Sequence, residues 1–161
     1  MIFLFIAIFF IAIILVVAQA HKESHIVAKV NIKSTLEKSF EYFVDTNHLQ
    51  IWLEGFKQTQ NDEEIFLKIN GEIQRIKILK IDINENKELN LKIKTKYFSG
   101  ETRFVFYARN STETLIVNFN IWKINNTFYR LLFFMFKGKI KRNLTDNLEL
   151  LGNLIENQKN I

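Results

Sequence analysis

The side chains best suited to acid–base chemistry lie in one short stretch of the chain. His48 follows Asp45 by three residues and precedes Glu54 by six, and a histidine beside a carboxylate can act as a general base near neutral pH. The same position, three residues into a predicted capped turn, also suits a histidine that is solvated or bonded locally. Glu54 and Arg103 are candidates for orienting the polar head of a ligand, or else are surface charges that flank strands.

Other catalytic chemistry has little support in the sequence. The chain has no cysteine, which removes disulfides, thiolate zinc sites and thiol nucleophiles together. The histidines His21, His25 and His48 are scattered, and no H-E-x-x-H, G-x-S-x-G, Walker or dinucleotide-binding motif occurs. We therefore predict no catalytic residue, no metal and no cofactor, and keep an enzyme as the alternative hypothesis.

The first segment is a membrane signal. Residues 2–18 are all apolar, a run just under the roughly 20 residues that span a hydrocarbon core. One interpretation is a retained transmembrane anchor over residues 1–20, with the following Lys22 and Lys29 placing the domain in the cytoplasm. The other is a signal peptide cleaved after Ala20, which would leave a secreted or periplasmic domain.

Periodicity in the remaining chain predicts one α+β domain over residues 24–158. Residues 25–33 alternate as a strand, and Ser34 to Glu37 form a capping box that opens a short helix at Thr35. Asp45 caps a second short helix that closes at Gly55. Six further strands are predicted over residues 56–60, 64–69, 73–83, 87–97, 101–109 and 114–124, with a bulge near Ile78.

The last segment, residues 128–158, carries apolar side chains at spacings of three and four and predicts one amphipathic helix of about 30 residues. A helix of that length needs a concave sheet against which to bury its apolar face. The predicted fold is therefore an antiparallel sheet of about seven strands wrapped round the last helix. Such an arrangement leaves space between sheet and helix.

These elements resemble the START-like superfamily, also called SRPBCC, which includes the polyketide cyclases and the birch-pollen allergens. The resemblance rests on the order of elements, on Phe40-x-x-Phe43-Val44-Asp45, on Trp52 seven residues after Asp45, and on the closing helix. The family opens its first helix with a proline, where this chain has Leu36. The chain is also similar to membrane-tethered bacterial members of the superfamily. The resemblance implies the helix-grip fold.

The same resemblance implies a cavity between the sheet and the last helix that binds a lipid or another hydrophobic small molecule. Nine residues are expected to line it: Trp52, Phe66, Phe104, Phe106 and Phe119 on the sheet side, and Leu132, Met135, Phe136 and Ile140 on the helix. Aromatic side chains at these spacings also simply fill a core. A structural or interaction module with a filled interior therefore stays open as an alternative.

The charge pattern suggests a membrane rather than a nucleic acid as partner. The formal net charge is +5, but basic and acidic residues are interleaved over most of the chain and no nucleic-acid-reading motif occurs. Lys137, Lys139, Lys141 and Arg142 form a basic cluster directly after an apolar stretch. That combination suits either an anionic membrane surface or an ordinary solvated helix face.

Overall fold

The computed structural model describes residues 5–6, 8–13, 23–45, 57–58, 64–69 and 72–157; between 57 and 81 it describes the backbone and the Ile76 side chain. Residues 5–6 and 8–13 are helical, and their large apolar side chains are exposed. None of the helices in these ranges has both the length and the hydropathy needed to span a bilayer. The proposed cleavage site at Ala20 lies outside the described residues.

One antiparallel sheet forms the body of the domain. Its strands are β1 (Glu23–Ile32), β2 (Lys57–Gln58), β3 (Glu64–Ile69), β4 (Glu72–Asn84), β5 (Glu88–Lys94), β6 (Phe98–Asn110) and β7 (Glu113–Ile124). Their order across the sheet is β1-β7-β6-β5-β4-β3-β2. The two short strands, β2 and β3, lie together at one side, so five longer strands make up most of the sheet. The first strand pairs with the last, as Glu23 with Lys123 and Ile32 with Thr114.

Two irregularities interrupt the ladders. The β4–β5 register shifts between Ile78 and Lys80, which confirms the bulge predicted near Ile78. A second shift lies between Ala108 and Asn110, where β6 turns into β7. The turn between β4 and β5 contains Asn86 at a φ of 55°, a left-handed conformation that asparagine tolerates better than most residues.

Two helices accompany the sheet. Helix α1 (Leu36–Val44) is capped by Thr35, whose side-chain oxygen accepts a hydrogen bond from the Lys38 backbone N–H. Helix α2 (Thr127–Asn157) is 31 residues long and is capped by the Asn126 side-chain oxygen, which accepts from the Tyr129 backbone N–H. The second short helix predicted between Asp45 and Gly55 lies outside the described residues.

Helix α2 runs along β1 and β7 and closes over a core that has two parts. The larger cluster joins β1, α1 and the middle strands to Leu148, Leu151 and Ile155 of α2. The smaller cluster contains Ile26, Trp122 and Ile124, with half-buried side chains from the first half of α2 packed on it. The observed α+β architecture, an antiparallel sheet closed by a long C-terminal helix, is the helix-grip arrangement that the sequence predicts.

Candidate functional site

Successive residues of each strand point to opposite faces of the sheet, so burial along β7 identifies the face that α1 and α2 cover. We call it the inner face. The β7 residues on it are all buried: Thr114, Ile116, Asn118, Asn120, Trp122 and Ile124. Two asparagines therefore stand in the interior of the domain, each 1% exposed, where side chains are normally apolar.

A row of hydrogen bonds links these asparagines to their neighbours. The Trp122 indole N–H donates to the Thr102 hydroxyl over 3.2 Å, and that hydroxyl donates to the Asn120 side-chain oxygen over 2.9 Å. The Asn120 amide in turn donates to the Asn118 side-chain oxygen. We call Trp122, Thr102, Asn120 and Asn118 the polar row. Because each member except the last uses its donor on the next, the row has a direction.

The row ends at the Asn118 side-chain amide. Within the described part of the chain, the buried Asn118 Nδ2 atom has no hydrogen-bond acceptor. An unsatisfied buried polar group costs about 1–3 kcal/mol. A carbonyl or hydroxyl oxygen placed beside Asn118 Nδ2 would recover that loss.

Apolar side chains lie on both sides of the polar row. Along β7, Ile116 belongs to the larger cluster, whereas Trp122 and Ile124 belong to the smaller one. Leu144 of α2 packs against both clusters. The interior is thus apolar with one narrow polar band across it, which is the usual composition of a site for a small hydrophobic molecule.

A glycine allows strands β6 and β7 to lie close together beside the polar row. Gly100 of β6 pairs with Trp122 of β7, and a β-carbon on Gly100 would lie 2.9 Å from the Trp122 Cα and closer still to the Ile121 carbonyl oxygen. Only glycine fits there without a backbone shift. The adjacent Phe98 ring stacks on the Trp122 indole with centroids 4.7 Å apart.

The structure places two of the predicted lining residues in the interior, as aromatic partners of α1. Phe104 lies 4.5 Å from Phe43, and Phe106 lies 5.1 Å from Phe40, between ring centroids. Ile140 packs on the smaller cluster, and Leu132 is half-buried. Trp52 and the side chain of Phe66 lie outside the described residues. Contact of any of these residues with a ligand stays a prediction.

Three of the predicted lining residues do not lie in the interior. Phe119 was expected to face α2, but it alternates with the buried Asn118 and Asn120 and so lies on the outer face. Met135 and Phe136, also expected to line the cavity, are 64% and 50% exposed. Met135 lies on the side of α2 turned away from Tyr129 and Phe133, which pack inward, whereas Phe136 is exposed although it follows Phe133 by three residues.

The candidates for acid–base chemistry are not brought together. Arg103 lies on the outer face, where its Nε atom donates to the Glu88 carboxylate over 2.9 Å, so its predicted role at the head of an interior ligand is wrong. His48 and Glu54 lie outside the described residues. Among the described residues, no group of three His, Asp or Glu side chains is placed to hold a metal ion.

An open groove of about 440 Å³ lies along the sheet edge, between β1 and the last turns of α2. It is lined by Lys29, Val30, Asn31, Glu149, Gly152, Asn153 and Glu156. Charges of both signs and free access to water distinguish it from the interior. We therefore take the inner face, with its unpaired donor, as the candidate site.

The polar row could not be found from hydrophobic patterning. Residues 114–124 carry apolar side chains at both odd and even positions, and by polarity alone the two asparagines would be assigned to the outward face. The available signal was their spacing of two residues, which puts both on one face of a strand. Their pairing with Ala28 and Ile26 of β1 decides that this face is the inner one.

A short helix after the first strand, an antiparallel sheet and a long closing helix define the helix-grip fold. Comparison with solved structures agrees. The Zhui aromatase/cyclase from Streptomyces sp. R1128 matches with a TM-score of 0.70 at 10% identity, covering 83% of this chain and 94% of that one. A START superfamily protein from Mycobacterium smegmatis matches with 0.59 at 15% identity, covering 78% and 94%.

A conserved protein from Geobacillus kaustophilus has the same fold, with a TM-score of 0.68 at 14% identity over 82% of this chain and 95% of that one. At these identities the likeness establishes a shared fold. No family model matches the sequence, and no curated protein matches it either.

Proposed function

We propose that the domain binds a hydrophobic small molecule or lipid between the inner face and α2, and that the bound molecule carries a hydrogen-bond acceptor. The observation that carries the proposal is the buried, unpaired Asn118 Nδ2 at the end of the polar row. The shared helix-grip fold supports it, because two solved structures with this fold are a START superfamily protein and an aromatase/cyclase. No described residue favours a cyclase or dehydratase reaction over binding alone.

Apolar contact would supply most of the affinity, and the polar row would supply orientation. The side chains on either side of the polar row belong to apolar clusters. Each methylene group of a ligand that is removed from water contributes about 0.8 kcal/mol of binding free energy. The Asn118 amide adds a directional hydrogen bond. A ligand that places its oxygen elsewhere leaves that donor unpaired and is discriminated against.

We further propose that residues 1–20 are retained as a single-pass anchor and that the domain of residues 24–158 faces the cytoplasm. In support, residues 5–6 and 8–13 are helical and expose side chains such as Phe5 and Phe9, at 70% and 64%, which water does not favour. The intact mass of the protein extracted from membranes tests this. A mass lacking residues 1–20 would assign the segment to a cleaved signal peptide and the domain to the far side of the membrane.

The binding test uses two probes of nearly the same shape, 2-acetylnaphthalene and 2-ethylnaphthalene, of which only the first has a carbonyl oxygen. Binding to the full chain in detergent micelles is followed by tryptophan fluorescence. We expect the wild type to prefer the acetyl compound by about tenfold, which corresponds to one hydrogen bond. Asn118→Leu is expected to abolish that preference while still binding the ethyl compound.

Asn143→Leu is the matched control, since Asn143 is an exposed asparagine of α2 and the same substitution there should leave the preference intact. Partition into the micelle is common to all variants and drops out of the comparison. Asn118→Leu also leaves the Asn120 amide with only the Ile26 carbonyl as acceptor, over 3.5 Å, so the double variant Asn118→Leu/Asn120→Leu, which removes both amides, guards against a folding defect. Equal binding of both probes by the wild type would refute the proposed role of Asn118, and no binding of either would refute the interior site.

A further inference from the structure

The first half of α2, residues 127–142, presents an apolar surface that the domain does not cover. Phe128, Leu131, Leu132 and Met135 have the i, i+3, i+4, i+7 spacing of one helix face. We call these four residues the outer stripe. Phe128 and Met135 at its ends are 62% and 64% exposed, and Leu131 and Leu132 are half-buried. The inward face of the same turns is formed by other residues, among them Tyr129 and Phe133.

Basic residues follow the outer stripe along α2, and this part of the sequence contains no acidic residue. Lys139 and Arg142 follow the stripe on the same helix face, whereas Lys137 and Lys141 project from other sides of the helix; all four are exposed. From residue 114 to residue 145 the sequence has six Lys and Arg and no Asp or Glu. An apolar stripe that runs into a purely basic segment matches the interface of an anionic bilayer, with acyl chains below and charged headgroups above.

The chain also brings its apolar leader to this end of the domain. Strand β1 begins at Glu23, which pairs with Lys123, and α2 begins at Thr127, four residues further along the chain. Only residues 19–22 separate the apolar run from β1, and four extended residues span at most about 14 Å. If residues 2–18 contact a bilayer, the start of α2 is held close to the same surface.

We propose that the outer stripe docks on the surface of an anionic lipid bilayer, with Phe128 and Met135 entering the apolar layer and Lys139 and Arg142 meeting the headgroups. The inference rests on the proposed anchor for its geometry and is independent of the interior ligand. Docking would set the first half of α2 against the membrane, so that the inner face beneath it opens close to a source of hydrophobic molecules.

The test places one fluorescent label at a time in the full chain, which has no native cysteine. An NBD label on Met135→Cys reports on the outer stripe. The same label on Tyr107→Cys serves as control, because Tyr107 is 49% exposed and pairs with Leu115, eight residues along β7 from Lys123 and therefore about 26 Å away. The protein is reconstituted in vesicles of phosphatidylcholine alone or mixed with phosphatidylglycerol.

In the mixed vesicles we expect a blue shift and shielding from aqueous iodide at position 135, and neither at position 107. Replacing Lys139 and Arg142 by Gln should weaken docking about 25-fold, since each charge near the surface contributes about fivefold. Replacing the exposed Lys87 and Lys94 by Gln removes the same charge elsewhere and should change little.

A label at 135 that stays as accessible as the label at 107 would overturn the proposal. Shielding that grows with protein density on phosphatidylcholine vesicles would also overturn it, by assigning the stripe to a second copy of the chain. The acetyl-over-ethyl preference of the interior is measured on the same variants. Absence of docking with that preference intact would refute the docking proposal and leave the proposed binding function standing.

Discussion

Gly152 of α2 lies so close to Ile32 of β1 that a β-carbon on the glycine would be 3.3 Å from the Ile32 Cγ1 atom. This contact lets the second half of the helix settle on the first strand. Close by, the Lys33 backbone N–H donates to the Glu156 carboxylate over 2.8 Å. The helix is therefore held to β1 by close packing and by a hydrogen bond near its C-terminal end.

The two glycines of α2 provide a matched pair of variants. A β-carbon on Gly138 would meet nothing within 4 Å, so Gly138→Ala should stabilise the domain by about 1 kcal/mol through helix propensity. Gly152→Ala gains the same propensity but must push Ile32 aside, and we expect it to be no more stable than the wild type. Urea unfolding measures both. Equal stabilisation by the two substitutions would show that the Gly152 contact is not tight.

Ser39→Ala should raise the free energy of unfolding by about 0.5–1 kcal/mol. Ser39 is fully buried in α1, and its hydroxyl has no hydrogen-bond partner among the described residues, so alanine removes a desolvated group and favours the helix. Thr114→Val is the contrasting control. The buried Thr114 hydroxyl donates to the Ser34 carbonyl over 2.9 Å, and losing it should cost about 1–3 kcal/mol. A destabilised Ser39→Ala would mean that this hydroxyl is paired in solution.

Tyr42 should make the domain sensitive to alkaline pH. Burial, and secondarily the charge of Asp45, raise the pKa of the Tyr42 phenol above its ordinary value. The unfolded chain then releases this proton at a lower pH than the folded one, so stability is fully present below about pH 10 and falls as the pH rises towards the folded pKa.

Tyr42→Phe removes the titrating group and should flatten this alkaline loss, whatever its effect on stability at neutral pH. Asp45→Asn should flatten it partly. Thermal melts between pH 8 and about pH 11 give the slopes. An unchanged slope in Tyr42→Phe would assign the alkaline loss to other tyrosines.

The ion pair between Arg103 and Glu88 should contribute little to stability and nothing to binding. Their side chains are 50% and 28% exposed, and exposed pairs are worth about 0–1 kcal/mol. Arg103→Gln is expected to lower stability within that range and to leave the acetyl-over-ethyl preference unchanged. If Arg103→Gln lost the acetyl-over-ethyl preference, Arg103 would belong to the binding site, which would contradict its position on the outer face.

The positions of the helices and strands could be predicted from short stretches of sequence. The period of two in β1, the start of α1 and the spacing of apolar residues in α2 each depend on near neighbours, so the sequence alone predicted them to within a few residues. The cap of α1 is Thr35, one residue after the Ser34 of the predicted capping box. The bulge at Ile78 was visible as a change of phase in the apolar positions of β4.

Local sequence patterns did not predict which side chains of β7 and α2 point inward. Apolar residues occur at both odd and even positions of β7, so the pattern does not decide which face Phe119 occupies, and the prediction placed it facing α2. The pairing of β7 with β1 reverses that assignment, and the hydrogen bonds of the polar row offset the cost of burying Asn118 and Asn120. In the first half of α2, apolar residues lie on both sides, so hydrophobicity could not tell Met135 from Phe133.

The two halves of α2 contribute unequal numbers of fully buried apolar side chains to the core. Fully buried leucines and an isoleucine hold the second half, whereas half-buried side chains such as Tyr129 and Phe133 hold the first. Local opening starts where the fewest apolar contacts must break. Fraying from Thr127 would therefore expose the asparagines to solvent while Leu151 and Ile155 stay buried. A ligand could then enter the interior without unfolding of the whole domain.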